Sequence, residues 1–154
     1  MIRSRVKIKE GKNLLKDIKK YKCTADIGLL SDTESTIVTI GATQEFGTEN
    51  AGKGRNITIP ERSYLRSTYD EKKEHIESSI NKAKPDILFS KMSKLQLIKR
   101  LALYLQSEVQ KKITNSKEWA VANTENTLKR KYPYTRPLFA GEDSIKKHIT
   151  FRIK

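Results

Sequence analysis

The strongest alternation of apolar and polar positions in the chain lies between residues 91 and 113. Apolar side chains recur there every three or four positions, and the first half is apolar around more than half of a helix circumference. Such a wide stripe is typical of a helix at the centre of a domain. Its apolar positions are Met92, Leu95, Ile98, Ala102, Leu105, Val109 and Ile113, widened by Leu97, Leu101 and Tyr104. We therefore predict a central core helix over Lys91–Ile113.

A second long helix is predicted just upstream. Pro60 ends a β-branched run, and Ser63 is a candidate N-cap because its hydroxyl can accept a hydrogen bond from a free amide of the first turn. The apolar stripe of this helix comprises Leu65, Tyr69, Ile76, Ile80 and Ala83. The sequence Lys84-Pro85-Asp86 predicts the end of the helix, since proline removes a helical hydrogen bond and clashes with the preceding turn.

Runs of β-branched residues predict several strands. Thr24–Leu30 and Thr36–Gly41 are separated by a polar tetrad, so we expect them to pair as an antiparallel hairpin. His148–Ile153 alternates apolar and polar residues, which predicts a closing strand that pairs back into the sheet. Shorter predicted elements are a strand at Arg3–Lys9, a helix at Asn13–Tyr21, a strand at Asn56–Ile59, and helical turns at Asn123–Lys131 and Ser144–Lys146.

Together these elements predict a single α+β domain over residues 1–154. The length is close to the commonest domain size and is sufficient to bury a hydrophobic core. The economical arrangement is a small antiparallel or mixed β-sheet packed against two long α-helices. Thr48–Asn56 combines small residues with polar ones, which predicts an exposed, mobile glycine-rich loop. Trp119 is expected to cover the open end of the core.

The chain is strongly basic, with a formal net charge of +14. The segment 1–22 carries nine basic residues against two acidic ones, a surface that would attract polyanions such as DNA. The candidate polyanion contacts are Lys12, Lys16, Lys19 and Lys20. The alternative is a solvated helix face in a lysine-rich protein, since the sequence contains no aromatic-interleaved nucleic-acid motif and no zinc spacing.

One stretch resembles a phosphate-binding loop. Gly47–Lys53 matches the first seven positions of the pattern G-x-x-x-x-G-K-[ST], but Gly54 stands where the magnesium-binding hydroxyl is required. A helix must also follow that loop so that its amides face the phosphates, whereas Asn56–Ile59 is predicted to be a strand. We therefore expect no nucleotide to bind here.

The sequence also lacks the residue patterns of a metal site or of a cysteine nucleophile. His75 and His148 have no second ligand at metal-binding spacing, and Cys23 has no evident histidine partner. We expect no enzyme activity, no cofactor and no metal. The single cysteine predicts a reducing compartment. No apolar run approaches the roughly 20 residues of a membrane span, and no secretory signal is present, so we expect no membrane association.

Two ordered motifs carry a family resemblance. Gly41–Thr48 reads GATQEFGT, and Ile59–Arg66 reads IPERSYLR. This order resembles the tailed-bacteriophage virion-morphogenesis and tail-completion family, whose signature is IG-x-x-x-EFGT followed by IP-x-RP-F-LR. Trp119, Asn123–Lys131, Pro137-Leu138 and Ile149–Ile153 are similar to its C-terminal pattern, so the resemblance covers residues 26–153. The chain departs from the pattern at Ser63-Tyr64, where the family has Pro-Phe, and at Phe139–Asp143, which replaces an Asp-Thr-Gly turn.

The resemblance implies a structural virion assembly protein of a tailed phage or prophage that acts in tail completion or at the neck. It implies no catalysis, a location at the head–tail region of the virion, and a host-cytoplasmic stage during assembly. The partners would be other neck and tail proteins, further copies in a hexamer-like ring, and DNA in the channel. The alternatives are a tail terminator or other minor tail protein, a basic nucleic-acid-binding module, and a prophage-borne toxin, inhibitor or enzyme.

The resemblance also suggests which residues form a protein interface. The candidates are Glu45, Phe46, Gly47, Arg55, Pro60, Arg62, Tyr64, Leu65 and Arg66. For Phe46 and Leu65, packing in the core is the alternative. Arg62 and Arg66 are spaced by one helical turn and would share a face, from which they could bridge to acidic groups on a neighbour. Ion pairs with Glu45 or Glu61 of the same chain are the alternative for these arginines.

Overall fold

Two long helices form an antiparallel hairpin in the computed structural model of the chain. The structure describes residues 23–30, 32–54, 56–138 and 145–154. In chain order the elements are β1 (Ala25–Gly28), α1 (Ser35–Phe46), β2 (Thr48–Ala51), β3 (Ile57–Ile59), α2 (Leu65–Leu88), α3 (Lys94–Thr114), α4 (Ser116–Trp119), α5 (Glu125–Lys131), α6 (Ile145–His148) and β4 (Thr150–Ile153). The predicted α+β class is confirmed. The predicted strand Arg3–Lys9 and helix Asn13–Tyr21 lie outside the described residues.

The hairpin consists of α2 and α3, with 24 and 21 residues. Contacts between side chains fix its register. Lys72 Nζ lies 2.9 Å from Glu108 Oε2, and the rings of His75 and Tyr104 have centroids 4.8 Å apart. Helix α3 begins with a capping box, in which the Gln96 amide donates to Ser93 Oγ over 3.1 Å and the Ser93 amide donates to Gln96 Oε1 over 2.9 Å. This cap explains why α3 begins at Lys94 rather than at the predicted Lys91.

The prediction that Lys84-Pro85-Asp86 ends the second helix is wrong, because α2 contains Pro85 and continues to Leu88. Only three residues of the helix follow the proline, so the disruption is confined to its last turn. Pro85 is also exposed, and the backbone carbonyl that loses its amide partner can bond to water. Ser63 is not the N-cap either, since Tyr64 holds that position and forms no side-chain capping bond.

The predicted hairpin of Thr24–Leu30 with Thr36–Gly41 is wrong. The second run belongs to helix α1, whose buried residues Ile37, Gly41 and Glu45 are spaced four apart along one face. Burial of that face outweighs the strand preference of the β-branched residues in its sequence. Strand β1 pairs instead with β4 in antiparallel register, with Ala25 opposite Ile153 and Ile27 opposite Phe151. The predicted closing strand is thereby confirmed over Thr150–Ile153, and within the described part of the chain its partner is β1.

The glycine-rich stretch is more ordered than predicted. Thr48–Ala51 forms strand β2, which pairs antiparallel with β3 through Thr48 opposite Ile59 and Ala51 opposite Ile57. The connecting turn begins at Gly52, whose φ of 80° favours glycine. Among the described residues, the β structure therefore consists of two separate two-stranded sheets rather than one small sheet.

The hydrophobic core surrounds the C-terminal half of α3. Its buried members are Tyr64, Val109, Ile113, Leu138, Ile145 and Ile149, with Leu29, Leu65 and Trp119 packed against them. Trp119 lies at the edge of this core, as predicted, and its indole N–H donates to the Lys112 carbonyl over 2.9 Å. Two amide side chains of α3, from Gln106 and Gln110, donate to the backbone carbonyls of Ile149 and Lys146. These contacts attach α6 and β4 to the central helix.

Candidate protein-interaction site

The two family-like motifs meet at the carboxylate of Glu45. This residue lies in the last turn of α1 and is only 2% exposed. Its Oε2 accepts hydrogen bonds from the amides of Tyr64 and Leu65 over 2.8 Å each. Its Oε1 accepts from the Arg66 amide over 3.0 Å and from Ser63 Oγ over 2.8 Å.

These amides begin helix α2, where the first amides have no partner within the helix itself. Glu45 therefore caps α2 from a different element, and its negative charge opposes the positive end of the helix dipole. Hydrogen bonds to an ionised acceptor are stronger than neutral ones. The carboxylate thus takes the role that the sequence assigned to Ser63, and it joins α1 to α2 across the intervening hairpin.

Arg62 forms a second buried connection beside this cap. The side chain is largely buried, and its backbone amide donates to the Gln44 carbonyl over 2.7 Å. The guanidinium Nη1 donates to Gln44 Oε1 over 2.6 Å, and Nε donates to the Val121 carbonyl over 2.8 Å. Burial lowers the pKa of Arg62 from its ordinary value, although a guanidinium remains charged at neutral pH. The arginine therefore connects the end of α1 to the segment before α5.

Tyr64 lies between the cap and the hydrophobic core. It is 1% exposed, and its hydroxyl donates to the Gly41 carbonyl over 3.3 Å. Burial, together with the charge of Glu45, raises the pKa of the Tyr64 phenol, which therefore remains protonated. A Cβ atom at Gly41 would lie 2.2 Å from Leu29 Cδ1 and 2.9 Å from Tyr64 Oη, so a larger residue there would displace these side chains.

Gly47 makes the turn from α1 into β2. Its φ of 69° and ψ of 173° define a conformation that favours glycine. A Cβ atom there would lie 2.8 Å from the Glu61 amide nitrogen and 3.0 Å from the Ile59 carbonyl oxygen. The glycine of the EFGT motif is thus required both by its backbone angles and by the adjacent chain.

Three exposed side chains lie on elements that meet at or adjoin this buried cluster, namely the end of α1, strand β3 and the first turn of α2. Phe46 is 64% exposed, and Ile57 on the neighbouring hairpin is 54% exposed. The Arg66 guanidinium lies 5.2 Å from the centre of the Phe46 ring, a cation–π contact, and it also pairs with Glu45 and Glu61. We call Phe46, Ile57 and Arg66 the exposed patch.

The nine predicted interface residues therefore separate into groups. Glu45, Arg62 and Tyr64 lie inside the fold, so they support the surface rather than contact a partner directly. Gly47, Pro60 and Leu65 are partly buried, while Phe46 and Arg66 are exposed. Arg55 and the polyanion candidates Lys12, Lys16, Lys19 and Lys20 lie outside the described residues.

The predicted shared face of Arg62 and Arg66 is wrong. Arg62 precedes α2 and points into the fold, whereas Arg66 lies in the first turn and is exposed. The two arginines form different contacts within the chain, with Gln44 for one and with Glu45 and Glu61 for the other. The alternative of ion pairs within the chain is the correct one for Arg66.

Sequence reasoning missed Gln44, Gly41 and the backbone of Val121 and Ala122 as parts of this site. Gln44 accepts from Arg62 through both its side chain and its backbone. The available signal was the four-residue spacing of Ile37, Gly41 and Glu45, which places them on one helical face. No local pattern marks the carbonyls of residues 121 and 122, because only the tertiary fold brings them near Arg62.

Two further properties of the described residues bear on function. No group of three His, Cys, Asp or Glu side chains among them is close enough together to hold a metal ion. None of the helices in the described part of the chain combines the length and apolar character needed to cross a membrane.

Comparison of the chain with protein-family models, with curated proteins and with solved structures gave no match. The resemblance noted for the sequence therefore depends on the quoted motifs. In the structure, the motifs GATQEFGT and IPERSYLR form the two sides of one buried cluster, because Glu45 of the first binds residues about twenty positions later in the second.

Proposed function

We propose that this protein is a non-catalytic assembly protein of a tailed phage or prophage, acting in tail completion or at the neck. The observation that carries this proposal is the convergence of the EFGT and IPERSYLR motifs on one buried cluster. Motif residues that hold a fixed surface are what an assembly protein requires, since its function lies in the shape that it presents to neighbours.

The buried cluster gives the exposed patch a defined position. Glu45 attaches the start of α2 to the end of α1, and Gly47 sets the angle at which the hairpin of β2 and β3 leaves α1. Phe46 is exposed against the paired guanidinium of Arg66, and the β-branched Ile57 is exposed on the adjoining hairpin. Aromatic residues and arginine are enriched at protein interfaces, so the patch is our candidate docking surface.

The partners that we propose are other neck or tail proteins and further copies of the chain in a hexamer-like ring. A patch that contacts a different surface on the next subunit makes a head-to-tail interface, which closes into a ring when the rotation permits. DNA in the central channel is a further proposed contact, because of the net charge of +14. The location follows from the role, namely the virion and, during assembly, the host cytoplasm.

The direct test is electron microscopy of lysates from a phage that lacks this gene. We expect full heads beside unattached tails, since a missing completion or neck protein leaves the two parts unjoined. Intact but uninfective virions would instead indicate a role in DNA ejection or at the tail tip. Normal infectious particles would refute the assembly role.

A basic nucleic-acid-binding module is the second candidate, favoured by the same charge. Such a module would bind duplex DNA with an affinity that falls steeply with salt, by a slope of about −0.9 for each phosphate neutralised. Titration of labelled duplex DNA at several salt concentrations tests this candidate. Weak binding with a shallow slope would refute it.

The N-terminal lysines provide a further prediction about DNA. Changing Lys16, Lys19 and Lys20 to glutamine is expected to lower phage titre if they face DNA in the channel, while the circular dichroism spectrum stays unchanged. The matched control changes three exposed lysines elsewhere, at Lys73, Lys117 and Lys147. An unchanged titre for the N-terminal variant would contradict a role for these lysines in DNA contact.

A further inference from the structure

The far end of the helical hairpin exposes a group of large apolar side chains. Leu88 and Phe89, where α2 ends, are 52% and 73% exposed, and Leu95 in the first turn of α3 is 56% exposed. The hydrophobic core lies at the opposite end of α3, around Val109 and Ile113. The exposed group is therefore separate from both the core and the exposed patch.

The same end of the hairpin is strongly basic. We define the basic tip as residues 82–100, which join the last two turns of α2 to the first two turns of α3. Its cations are Lys82, Lys84, Lys91, Lys94, Lys99 and Arg100, against the single carboxylate of Asp86. Among the described residues, no carboxylate lies within ion-pair distance of Lys82 or Arg100.

A cleft of about 410 Å³ lies between the two helices, and most of its lining residues belong to the basic tip. Met92, Leu97 and Leu101 provide apolar lining, while Lys82 and Arg100 provide positive charge. Asp86 lines the cleft as well, so its charge is outnumbered by two cations there. The rings of His75 and Tyr104, tilted by 36° to each other, form the wall nearest the middle of the hairpin.

We propose that the basic tip is a docking site for an acidic amphipathic segment of another protein. Apolar side chains of that segment enter the cleft and cover Phe89, while its carboxylates pair with Lys82 and Arg100. An arginine fork binds carboxylates bidentately, and methionine adapts to varied apolar shapes. The inference does not depend on the proposed assembly role, because binding to this surface is measured on the purified protein.

Charge complementarity and the concave shape favour this occupant over three others. A second copy meeting the tip symmetrically would place two sets of six cations together, which is repulsive. Duplex DNA would satisfy the cations but would leave the exposed leucine and phenylalanine side chains without apolar partners. An anionic lipid surface would satisfy both kinds of side chain but would not fill a cleft between two helices.

The test uses a fluorescein-labelled helical peptide with leucines at positions i, i+3, i+4 and i+7 and glutamates on the remaining face. Fluorescence anisotropy compares it with a scrambled peptide of the same composition on the full-length protein. We expect the amphipathic peptide to bind at least about tenfold more tightly, a difference of the size expected when an interface anchor is lost. The double variant Lys82→Glu, Arg100→Glu and the variant Phe89→Ser are each expected to remove that advantage.

The matched control is Lys129→Glu, Arg130→Glu, which reverses one lysine and one arginine on α5, away from the hairpin. It is expected to retain the preference for the amphipathic peptide. Equal affinity for the two peptides, or an equal loss in the control variant, would overturn the proposal. So would tighter, tip-dependent binding to phosphatidylglycerol vesicles or duplex DNA, or tip-dependent self-association in sedimentation.

Discussion

Glu45 illustrates how one side chain can determine the arrangement of several elements. A buried carboxylate is costly unless its charge is fully hydrogen-bonded. Here it accepts bonds from three consecutive amides and from a serine hydroxyl, all at the start of α2. Sequence reasoning found this residue through a motif and assigned it to an interface. The fold instead uses it as a cap, because only the tertiary structure brings the end of α1 against Tyr64–Arg66.

Replacing Glu45 by alanine is expected to lower the free energy of unfolding by about 3–5 kcal/mol, since it leaves several buried donors without an acceptor. Glu45→Gln should cost less, because the remaining amide oxygen still accepts while the charge is lost. Urea unfolding followed by circular dichroism measures both changes. The exposed residue Glu49 supplies the control, for which Glu49→Gln should lie within about 0.5 kcal/mol of wild type. Equal effects at the two positions would refute the capping role.

Gly47 is a second residue whose identity is dictated by its surroundings. We expect Gly47→Ala to destabilise the protein by at least about 2 kcal/mol, from backbone strain and from the contact with the Glu61 amide. Thermal unfolding of the variant measures this change. Gly54→Ala is the comparison, because the nearest atom to its added Cβ is the flexible Asn56 side chain. A fully stable Gly47→Ala variant would mean that the turn after α1 differs from the one described.

At the scale of elements, the sequence predicted those features that depend on periodicity. The apolar stripe of α3 and the alternation of apolar and polar residues in β4 were each sufficient to predict the element, because burial on one face creates each pattern. The helix α1 was mistaken for a strand, since Thr36–Ile40 is β-branched and the burial that overrides this preference is not visible locally. The capping of α2 and the pairing of β1 with β4 depend on residues far apart in the chain, so no local signal predicts them.

The ion pair between Lys72 and Glu108, which joins α2 to α3, is expected to stabilise the protein to a degree that depends on pH. Hydrogen bonds from Lys111 and Lys72 hold the pKa of the Glu108 carboxyl below its ordinary value. A depressed pKa means that the stabilisation is present above the unfolded-state pKa and is lost as pH falls through the folded-state value. We expect Glu108→Gln to be less stable than wild type by about 0.5–1 kcal/mol at pH 7, a modest effect because the partners face solvent.

Urea unfolding of wild type and Glu108→Gln at pH 7 and near pH 3 tests this prediction. The difference in unfolding free energy is expected to shrink at the lower pH, where the carboxylate becomes protonated. The exposed residue Glu77 on α2 serves as the control, and Glu77→Gln should change little at either pH. A difference that persists at low pH would show that Glu108 acts through packing instead of charge.

At the scale of the whole molecule, the core occupies one end of the helical hairpin, and the basic tip lies at the other. The exposed patch lies near the core end, where Glu45 and Gly47 fix its geometry. The two surfaces differ in character, since the patch comprises one aromatic side chain, one aliphatic side chain and one paired arginine, while the tip is broadly cationic. This separation would allow the protein to contact two neighbours at once, as a joining protein must.

The proposed joining role is tested by complementing a phage that lacks the gene with wild type, Phe46→Ser, Ile57→Ser or the control Tyr132→Ser. Tyr132 is 85% exposed and lies on a different segment, so it matches the change from a large exposed side chain to serine. We expect the two patch variants to fold normally yet to yield unattached heads and tails by electron microscopy, while the control restores infectious particles. Full infectivity from both patch variants would contradict the proposal that this surface joins the protein to its neighbours.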